Sequence, residues 1–336
     1  MKKFRGLALC MMFSFVVILA ACSGYSELSG PVAIIVDDND DHSSEEALLT
    51  DEVELGELTV GLMPSIDAFP IVIAHYNGYF ADEGLTVNLE AFSGTPYRDA
   101  ALQAGELDAA TVDLVAVGLS REAGVTPLRA TGSTSGRFTL VAGAGFDTIE
   151  ALAGETVVIS QNTAIDFVLD QMVDLAGFDA DHIETLAIPA IPARLEYLRA
   201  GNVAAALLPE PWASVAIAEG FYGITNTIEI GFIPFVTAFR DEALENQQAE
   251  IQAFYRAYNR AIDFLNASEL DDYFHIMVDV IGFPEDVAQH LILPEFTHNV
   301  MPEDHVLEAA ISWLLSRELI TEGMDAEDLV DHVAFE

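Results

Sequence analysis

The stretch ETVVISQNTAIDFVLDQM, residues 155–172, consists of an apolar run, a short polar run and an amphipathic segment. Residues 156–159 are an apolar, β-branched run typical of a buried strand, and four polar residues follow it directly. After Thr163 the apolar residues recur at helical spacing. Ser160, Asn162 or Thr163 can accept hydrogen bonds from N–H groups that the first helical turn leaves unpaired, and those N–H groups can also hold a ligand. The stretch predicts a strand–turn–helix unit whose turn both caps the helix and forms one wall of a binding site.

The same alternation of strand-like and helical patterns extends in both directions from this stretch. Helical patterns separate most of the strand-like runs, and after Asp241 the pattern is helical throughout. This rhythm with short connections predicts an α/β fold with parallel, doubly wound sheets. The predicted strands are residues 58–62, 86–92, 108–112, 127–131, 138–142, 156–159, 185–188, 203–208, 221–224 and 232–239.

Two α/β units followed by a helical C-terminal segment predict a two-lobed protein. We expect the chain to cross between the lobes near residues 140–145 and again near residues 233–238. Lobe 1 is then formed by residues 58–142 and 238–336, and lobe 2 by residues 143–237. Because ligands of open α/β sheets bind beyond the carboxyl ends of the strands, the predicted site is the cleft between the lobes.

Polar residues just after the predicted strands face this cleft. Small hydroxyl residues at helix starts leave backbone N–H groups pointing outward, where the helix dipole favours an anion or a carbonyl oxygen. The predicted ligand-binding residues are Ser65, Asp67, Ser93, Gly94, Thr95, Asp113, Ser133, Thr134, Ser160, Gln161, Asn162, Thr163, Glu210 and Trp212.

The charged and aromatic residues near the predicted cleft indicate the charge and the chemical class of the solute. Asp67 and Asp113 either select an amine, amidine or ring N–H and repel a bare anion, or they only cap a helix or turn. Arg137 balances them, binds an acidic group, or pairs with a neighbouring carboxylate. Trp212 either stacks on a flat ring or packs against its own lobe. Because carboxylates greatly outnumber cations, the pattern favours a neutral, zwitterionic or heteroaromatic solute over a small inorganic oxyanion.

The N-terminus is typical of a secretory signal. Basic residues precede an apolar run that is shorter than a membrane-spanning helix needs, in MKKFRGLALCMMFSFVVILAAC, residues 1–22. Residues 19–22, LAAC, resemble a bacterial lipobox, which implies cleavage before Cys22 and a lipid on its sulfur; the alternative is a plain secretory signal with an incidental cysteine. Residues 22–57 carry acidic clusters that predict a solvated tether. We therefore expect a protein anchored outside the cytoplasmic membrane.

The composition is strongly acidic, with 13 Lys and Arg against 55 Asp and Glu and a net charge of −42. Removal of residues 1–21 takes away Lys2, Lys3 and Arg5, which changes the charge to −45 and leaves no lysine. Such a chain repels nucleic acids, so no nucleic-acid partner is expected. This composition is also typical of a protein that functions in high salt, where screening removes the repulsion between its carboxylates. The alternative is an ordinary acidic secreted protein.

Three spaced blocks carry a resemblance to a known family. They are NGYFADEGLTV at residues 77–87, ALQAGELD at residues 101–108 and LLPEPWAS at residues 207–214. Together they resemble the nitrate/sulfonate/taurine and thiamine-precursor class of ABC-transporter substrate-binding proteins (SsuA/THI5-like, NMT1-like), over about residues 57–240. The resemblance implies a type II periplasmic-binding-protein fold that closes on a small organic solute and delivers it to a membrane permease.

Two other functions are compatible with the same fold. It hosts a pyrimidine synthase and a chorismate-derived dehydratase, but the mature chain has no lysine for a Schiff base, no free cysteine nucleophile and neither a G-x-S-x-G nor an H-E-x-x-H motif. The histidines are scattered, and His298 and His305 are expected to be solvated rather than metal ligands. We therefore predict no enzyme activity, no cofactor and no metal. A solute sensor, which closes on a receptor instead of a permease, stays open as an alternative.

Overall fold

The structure is a computed structural model that describes residues 55–335. The predicted signal segment, Cys22 and nearly all of the predicted tether lie outside these residues. Within the described range, no helix is long and apolar enough to cross a membrane.

Two five-stranded sheets organise the described part of the chain. The strands of the first sheet are β1 (Glu57–Leu62), β2 (Thr86–Ala91), β3 (Ala109–Asp113), β4 (Leu128–Ser133) and β10 (Phe235–Arg240). Those of the second are β5 (Phe138–Ala142), β6 (Thr156–Ile159), β7 (Glu184–Ala187), β8 (Ala205–Pro209) and β9 (Tyr222–Asn226). The first sheet has the strand order β2-β1-β3-β10-β4, and the second has the order β7-β6-β8-β5-β9. We call the part built on the first sheet lobe 1 and the part built on the second sheet lobe 2.

Helices cover the sheets and fill the C-terminal segment. Those that follow strands of lobe 1 are α1 (Phe69–Tyr76), α2 (Tyr79–Asp82), α3 (Thr95–Ala104) and α4 (Leu114–Ala123). Those of lobe 2 are α5 (Ala164–Leu175), α6 (Ile191–Arg199), α7 (Trp212–Ala218) and α8 (Thr227–Ile230). The C-terminal helices are α9 (Asp241–Asn246), α10 (Gln248–Ala267), α11 (Leu270–Ile281) and α12 (Asp304–Ser316).

The strands β5 and β10 correct two expectations. The predicted boundary after residue 142 assigns β5 to lobe 1, but β5 pairs with β8 and β9 in the second sheet, and the predicted boundary at 238 falls inside β10. Both strands run antiparallel to their neighbours, so the sheets are mixed rather than purely parallel. The physical reason is that each enters its sheet from the other lobe, at the carboxyl ends of the parallel strands, and must run in the opposite direction.

The two crossings meet at a pair of stacked aromatic rings. Phe138 and Phe235 begin the two crossing strands, and their ring centroids are 3.9 Å apart with 11° between the planes. Gly136 lies against this pair, and a Cβ at that position would come within 2.5 Å of the Phe235 ring. A residue without a side chain is therefore required where the first crossing passes under Phe235.

The C-terminal helices pack mainly on lobe 1. Helix α10 packs on α1 and α2, where Phe254 stacks on Phe80 with a centroid distance of 5.1 Å. Helix α12 packs on α4. The expectation of helix throughout this segment is wrong at two places: α9 and α10 are separated at Gln247, and residues 284–293 contain only a short 3₁₀ turn, Glu285–His290.

Candidate functional site

A small cavity lies between the lobes, where residues that follow the strands of both sheets face each other. Its volume is about 50 Å³. The lining combines buried charges and hydroxyl groups with apolar side chains, and it comes from both lobes and from the two crossing strands. The lining residues are Met63, Ser65, Asp67, Thr95, Arg98, Thr111, Val112, Asp113, Phe138, Thr163, Ile165, Ile191, Arg194 and Phe235.

The lobes touch each other around this cavity. The hydroxyl oxygens of Thr95 in lobe 1 and Ser160 in lobe 2 are 3.5 Å apart. On another side, the indole Nε1 of Trp212 donates a hydrogen bond of 3.3 Å to the carbonyl of Pro64. Direct contacts between the two lobes thus border the cavity.

Asp67 lies in a short 3₁₀ turn between β1 and α1, with its side chain buried. Its Oδ2 accepts a hydrogen bond of 2.8 Å from Ser65, and its Oδ1 accepts one of 3.1 Å from Thr134. Burial raises the pKa of the Asp67 carboxyl to about 6, and these two hydrogen bonds limit the increase. The carboxylate is therefore mostly ionised at neutral pH.

Asp113 ends β3 and caps α4, where its Oδ1 accepts a hydrogen bond of 2.9 Å from the N–H of Ala116. Burial raises the pKa of its carboxyl, and the positive charge of Arg98 opposes that increase. The Arg98 guanidinium in turn donates to Asp99 and to the carbonyl of Thr111. Arg98 therefore pairs with Asp99, and among the described residues Asp113 has no ion pair of its own.

The polar turn after β6 performs the predicted capping role. The hydroxyl of Thr163 accepts a hydrogen bond from the N–H of Ile165 and donates one to the carbonyl of Ser160. The Oδ2 of Asp166 accepts from the N–H of Asn162, whose φ of 55° is left-handed, a conformation that Asn tolerates better than most residues. Thr163 also lines the cavity, so the turn lies at its wall, and ligand contact there stays a prediction.

The predicted residues fall into two groups. Ser65, Asp67, Thr95, Asp113 and Thr163 line the cavity, and Ser160 and Thr134 contact this lining through hydrogen bonds. The others do not line it: Ser93, Gly94, Ser133, Gln161, Asn162, Glu210 and Trp212.

Glu210 is bound by groups of its own lobe. It is fully buried at the start of α7, and its Oε2 accepts a hydrogen bond of 3.0 Å from the N–H of Ser214. Burial raises the pKa of its carboxyl, and the bonds from Ser214 and the charge of Arg137 oppose the increase. Trp212 contacts Pro64 of lobe 1. Both residues were predicted to bind the ligand, and neither of them lines the cavity.

Arg98 and Arg194 are the two charged cavity residues that the sequence analysis missed. Both guanidinium groups are buried, although arginine is usually exposed. A signal was present for Arg194, because residues 191, 194, 195 and 198 share one face of α6 and the other three are Ile and Leu. Arginine on an apolar helical face is the pattern that would have found it.

No metal centre is formed by the described side chains. Residues 55–335 contain no group of three or more His, Cys, Asp or Glu placed to hold a metal ion. His298 contacts Asp263, and His305 contacts Glu303 and the carbonyl of Gly231, so each has protein partners of its own.

Solved structures of binding proteins share this fold. The periplasmic aliphatic sulphonate binding protein SsuA from Escherichia coli matches with a TM-score of 0.68 and 18% identity, over 82% of this chain and 92% of that one. The periplasmic nitrate-binding protein NrtA from Synechocystis matches with a TM-score of 0.65 and 12% identity, over 83% and 87%. A Candida albicans protein described as exhibiting the generic periplasmic binding protein fold matches with a TM-score of 0.60 and 14% identity, over 82% and 96%.

Sequence comparison gives the family. No curated protein matches the chain. The model of the NMT1-like family matches residues 51–141 and 154–276, which is more than half of the sequence. The predicted resemblance and the two-lobed periplasmic-binding-protein fold are thereby confirmed. The chain belongs to the NMT1-like family.

Proposed function

We propose that this protein is a lipid-anchored, extracytoplasmic solute-binding component of an ABC importer. It captures a small organic solute between its two lobes and presents the closed form to a membrane permease. Membership of the NMT1-like family and the shared fold with sulphonate-binding and nitrate-binding proteins support this function.

The observation that carries the proposal is the cavity itself. Its wall combines ionisable side chains and hydroxyl groups from both lobes with a floor of two stacked phenylalanines at the crossings. A ligand held there contacts both lobes at once, so binding energy favours the closed arrangement by population shift. Pyrimidine-like or thiamine-precursor-like compounds, sulfonates and taurine-like compounds are the solute classes to test.

Enzyme activity on this fold is the weaker alternative. The sequence holds lysine only at positions 2 and 3, and cysteine only at positions 10 and 22, so the cavity offers neither a Schiff-base lysine nor a thiol nucleophile. A solute sensor uses the same cavity and differs only in the membrane partner that it contacts.

The anchor is tested by the intact mass of protein extracted from membranes. We expect a chain that begins at Cys22 and carries the mass of a diacylglyceryl group, because a lipobox directs this modification. A mature chain without added lipid would contradict the anchor while leaving solute binding unaffected.

Solute binding is tested by native mass spectrometry and thermal-shift screening of the purified protein in molar salt. The panel contains pyrimidines, thiamine precursors, sulfonates, taurine, nitrate and amino acids. We expect one class to form a 1:1 adduct and to raise the unfolding midpoint, since a ligand that binds only the native state stabilises it. A folded protein that responds to none of them would contradict the proposed function.

A further inference from the structure

The cavity contains a buried cation without a carboxylate partner. Only 2% of the Arg194 surface is exposed, and its Nε, Nη1 and Nη2 donate to the carbonyls of Ile188, Leu207 and Pro189 at 2.9, 3.1 and 3.2 Å. A guanidinium has five N–H donors, so two remain for a further acceptor. Burial lowers the pKa of Arg194 to about 10, which leaves it charged at neutral pH.

The isolation of Arg194 is unusual in so acidic a chain. Within residues 55–335, every other arginine forms an ion pair with Asp or Glu, except Arg137, whose charge acts on the buried Glu210. Burial of an uncompensated charge is unfavourable, and carboxylates are abundant in this sequence. Among the described residues, Arg194 therefore has no anionic partner.

The opposite wall of the cavity carries the complementary feature. Asp67 is 6% exposed, and no cation of the described chain pairs with it; its hydrogen bonds come from Ser65 and Thr134 alone. A carboxylate has about four acceptor positions, so about two remain free. Of the cavity's other charged residues, Arg98 forms an ion pair with Asp99, and Asp113 accepts a hydrogen bond from the N–H of Ala116 as the cap of α4.

We propose that the solute is a small zwitterion, which places a cationic N–H group on Asp67 and an anionic oxygen group on Arg194. This inference rests on the proposed solute-binding function and specifies its ligand. Asp67 belongs to lobe 1 and Arg194 to helix α6 of lobe 2, so such a solute neutralises both buried charges and links the lobes. A bare anion would leave Asp67 unpaired, and a bare amine would leave Arg194 unpaired.

The size of the cavity limits the solute further. A volume of about 50 Å³ accommodates roughly three to five water-sized groups. The class is therefore compact: an aliphatic amine joined by a short chain to a carboxylate or a sulfonate.

Calorimetric titration of the purified full-length protein tests the charge requirement. The probes are glycine, β-alanine, 4-aminobutyrate and taurine, each with one analogue that lacks the amine and one that lacks the acid. We expect one zwitterion to bind about 100-fold more tightly than either of its singly charged analogues. The preferred chain length reports the separation of the two charges, and taurine against β-alanine separates sulfonate from carboxylate.

Two variants assign the charges to their residues. In Asp67→Asn, the zwitterion and its amine-free analogue should bind with similar affinity, and in Arg194→Gln the zwitterion and its acid-free analogue should do so. Arg199→Gln, on the exposed face of the same helix, is the matched control and should bind as the unmodified protein does. If Arg194→Gln does not fold, the comparison of analogues on the unmodified protein carries the test alone.

The outcomes separate this inference from the function on which it rests. A tightly bound solute that lacks either the positive or the negative charge, in this titration or in the broader screen, would overturn the zwitterion inference. The proposed solute-binding function would remain. If the folded protein bound no compound of either panel, both the zwitterion inference and the proposed solute-binding function would be overturned.

Discussion

Asp67 links the chemistry of the cavity to the stability of the protein. Burial raises the pKa of its carboxyl from 3.8 to about 6, so between these pH values the folded protein binds more protons than the unfolded chain. The free energy of unfolding therefore falls as the pH rises through this window, and the stabilisation by protonated Asp67 is lost above about pH 6. At neutral pH the unliganded protein carries a destabilising buried charge.

Asp67→Asn should remove this dependence. We expect the variant to match the unmodified protein near pH 4 and to exceed it at pH 8 by about 2–3 kcal/mol, because the amide has no proton to lose. Urea unfolding from pH 4 to 8 without solute measures the difference, in which the contributions of other buried carboxylates cancel. Glu184→Gln, at an exposed position on β7, is the control. Parallel curves for Asp67→Asn and the unmodified protein would contradict the assignment.

Thr163 combines a structural and a binding role. Its hydroxyl caps α5 and lies at the cavity wall, so Thr163→Ala should cost about 1 kcal/mol of stability and also weaken solute binding. Thr148, which does not line the cavity, accepts a comparable hydrogen bond from the N–H of Ala151, and Thr148→Ala should change stability alone. Chemical unfolding and solute titration of both variants separate the roles. An unchanged affinity in Thr163→Ala would place the turn outside the site.

Pairs of elements from different lobes hold the closed arrangement. Asp170 on α5 accepts a hydrogen bond of 2.6 Å from the indole of Trp313 on α12 and forms an ion pair with Arg317 just after that helix. Since α5 belongs to lobe 2 and α12 packs on lobe 1, these contacts join the lobes away from the cavity. Ser214 and the N–H of Ile292 form a second such link, at 3.1 Å.

Asp170→Asn should shift the unliganded protein toward an open form. Loss of the ion pair and a weaker bond to Trp313 are expected to lower solute affinity about two- to fivefold, because less of the protein is already closed. Small-angle X-ray scattering should show a larger radius of gyration without solute and the original value at saturation. Glu196→Gln removes an ion pair within lobe 2 and controls for charge. Identical scattering and affinity would show that this contact does not contribute to closure.

The charge of the whole molecule predicts its response to salt. With a net charge of −42, self-repulsion opposes the compact state, and molar salt shortens the screening length from about 10 Å to about 3 Å. We expect the unfolding midpoint to rise by at least about 3 °C between 0.1 and 2 M KCl. An equal osmolality of sucrose, which does not screen charge, should give a smaller rise. A flat response to KCl would contradict adaptation to high salt.

The sequence by itself determined the features that depend on neighbours along the chain. Alternating strand and helix patterns gave the α/β class and the two units, three short blocks gave the family, and polar residues after strands placed Asp67, Asp113 and Thr163 at the cavity. These signals are local, because a strand period, a helical period and a cap each extend over only a few residues. The ligand contacts of these residues stay predictions.

Tertiary structure alone decided the features that depend on partners distant in sequence. The apolar pattern of residues 138–142 is compatible with a strand of either sheet. Only its pairing with β8 and β9 assigns it to lobe 2. The nearness of Arg98 to Asp113, the link from Trp212 to Pro64 and the absence of a carboxylate beside Arg194 are likewise decided by which residues become neighbours on folding. The charge balance of a buried cavity depends on which residues are neighbours in three dimensions. The composition shows a large excess of carboxylates, but it does not show which cation has no carboxylate beside it.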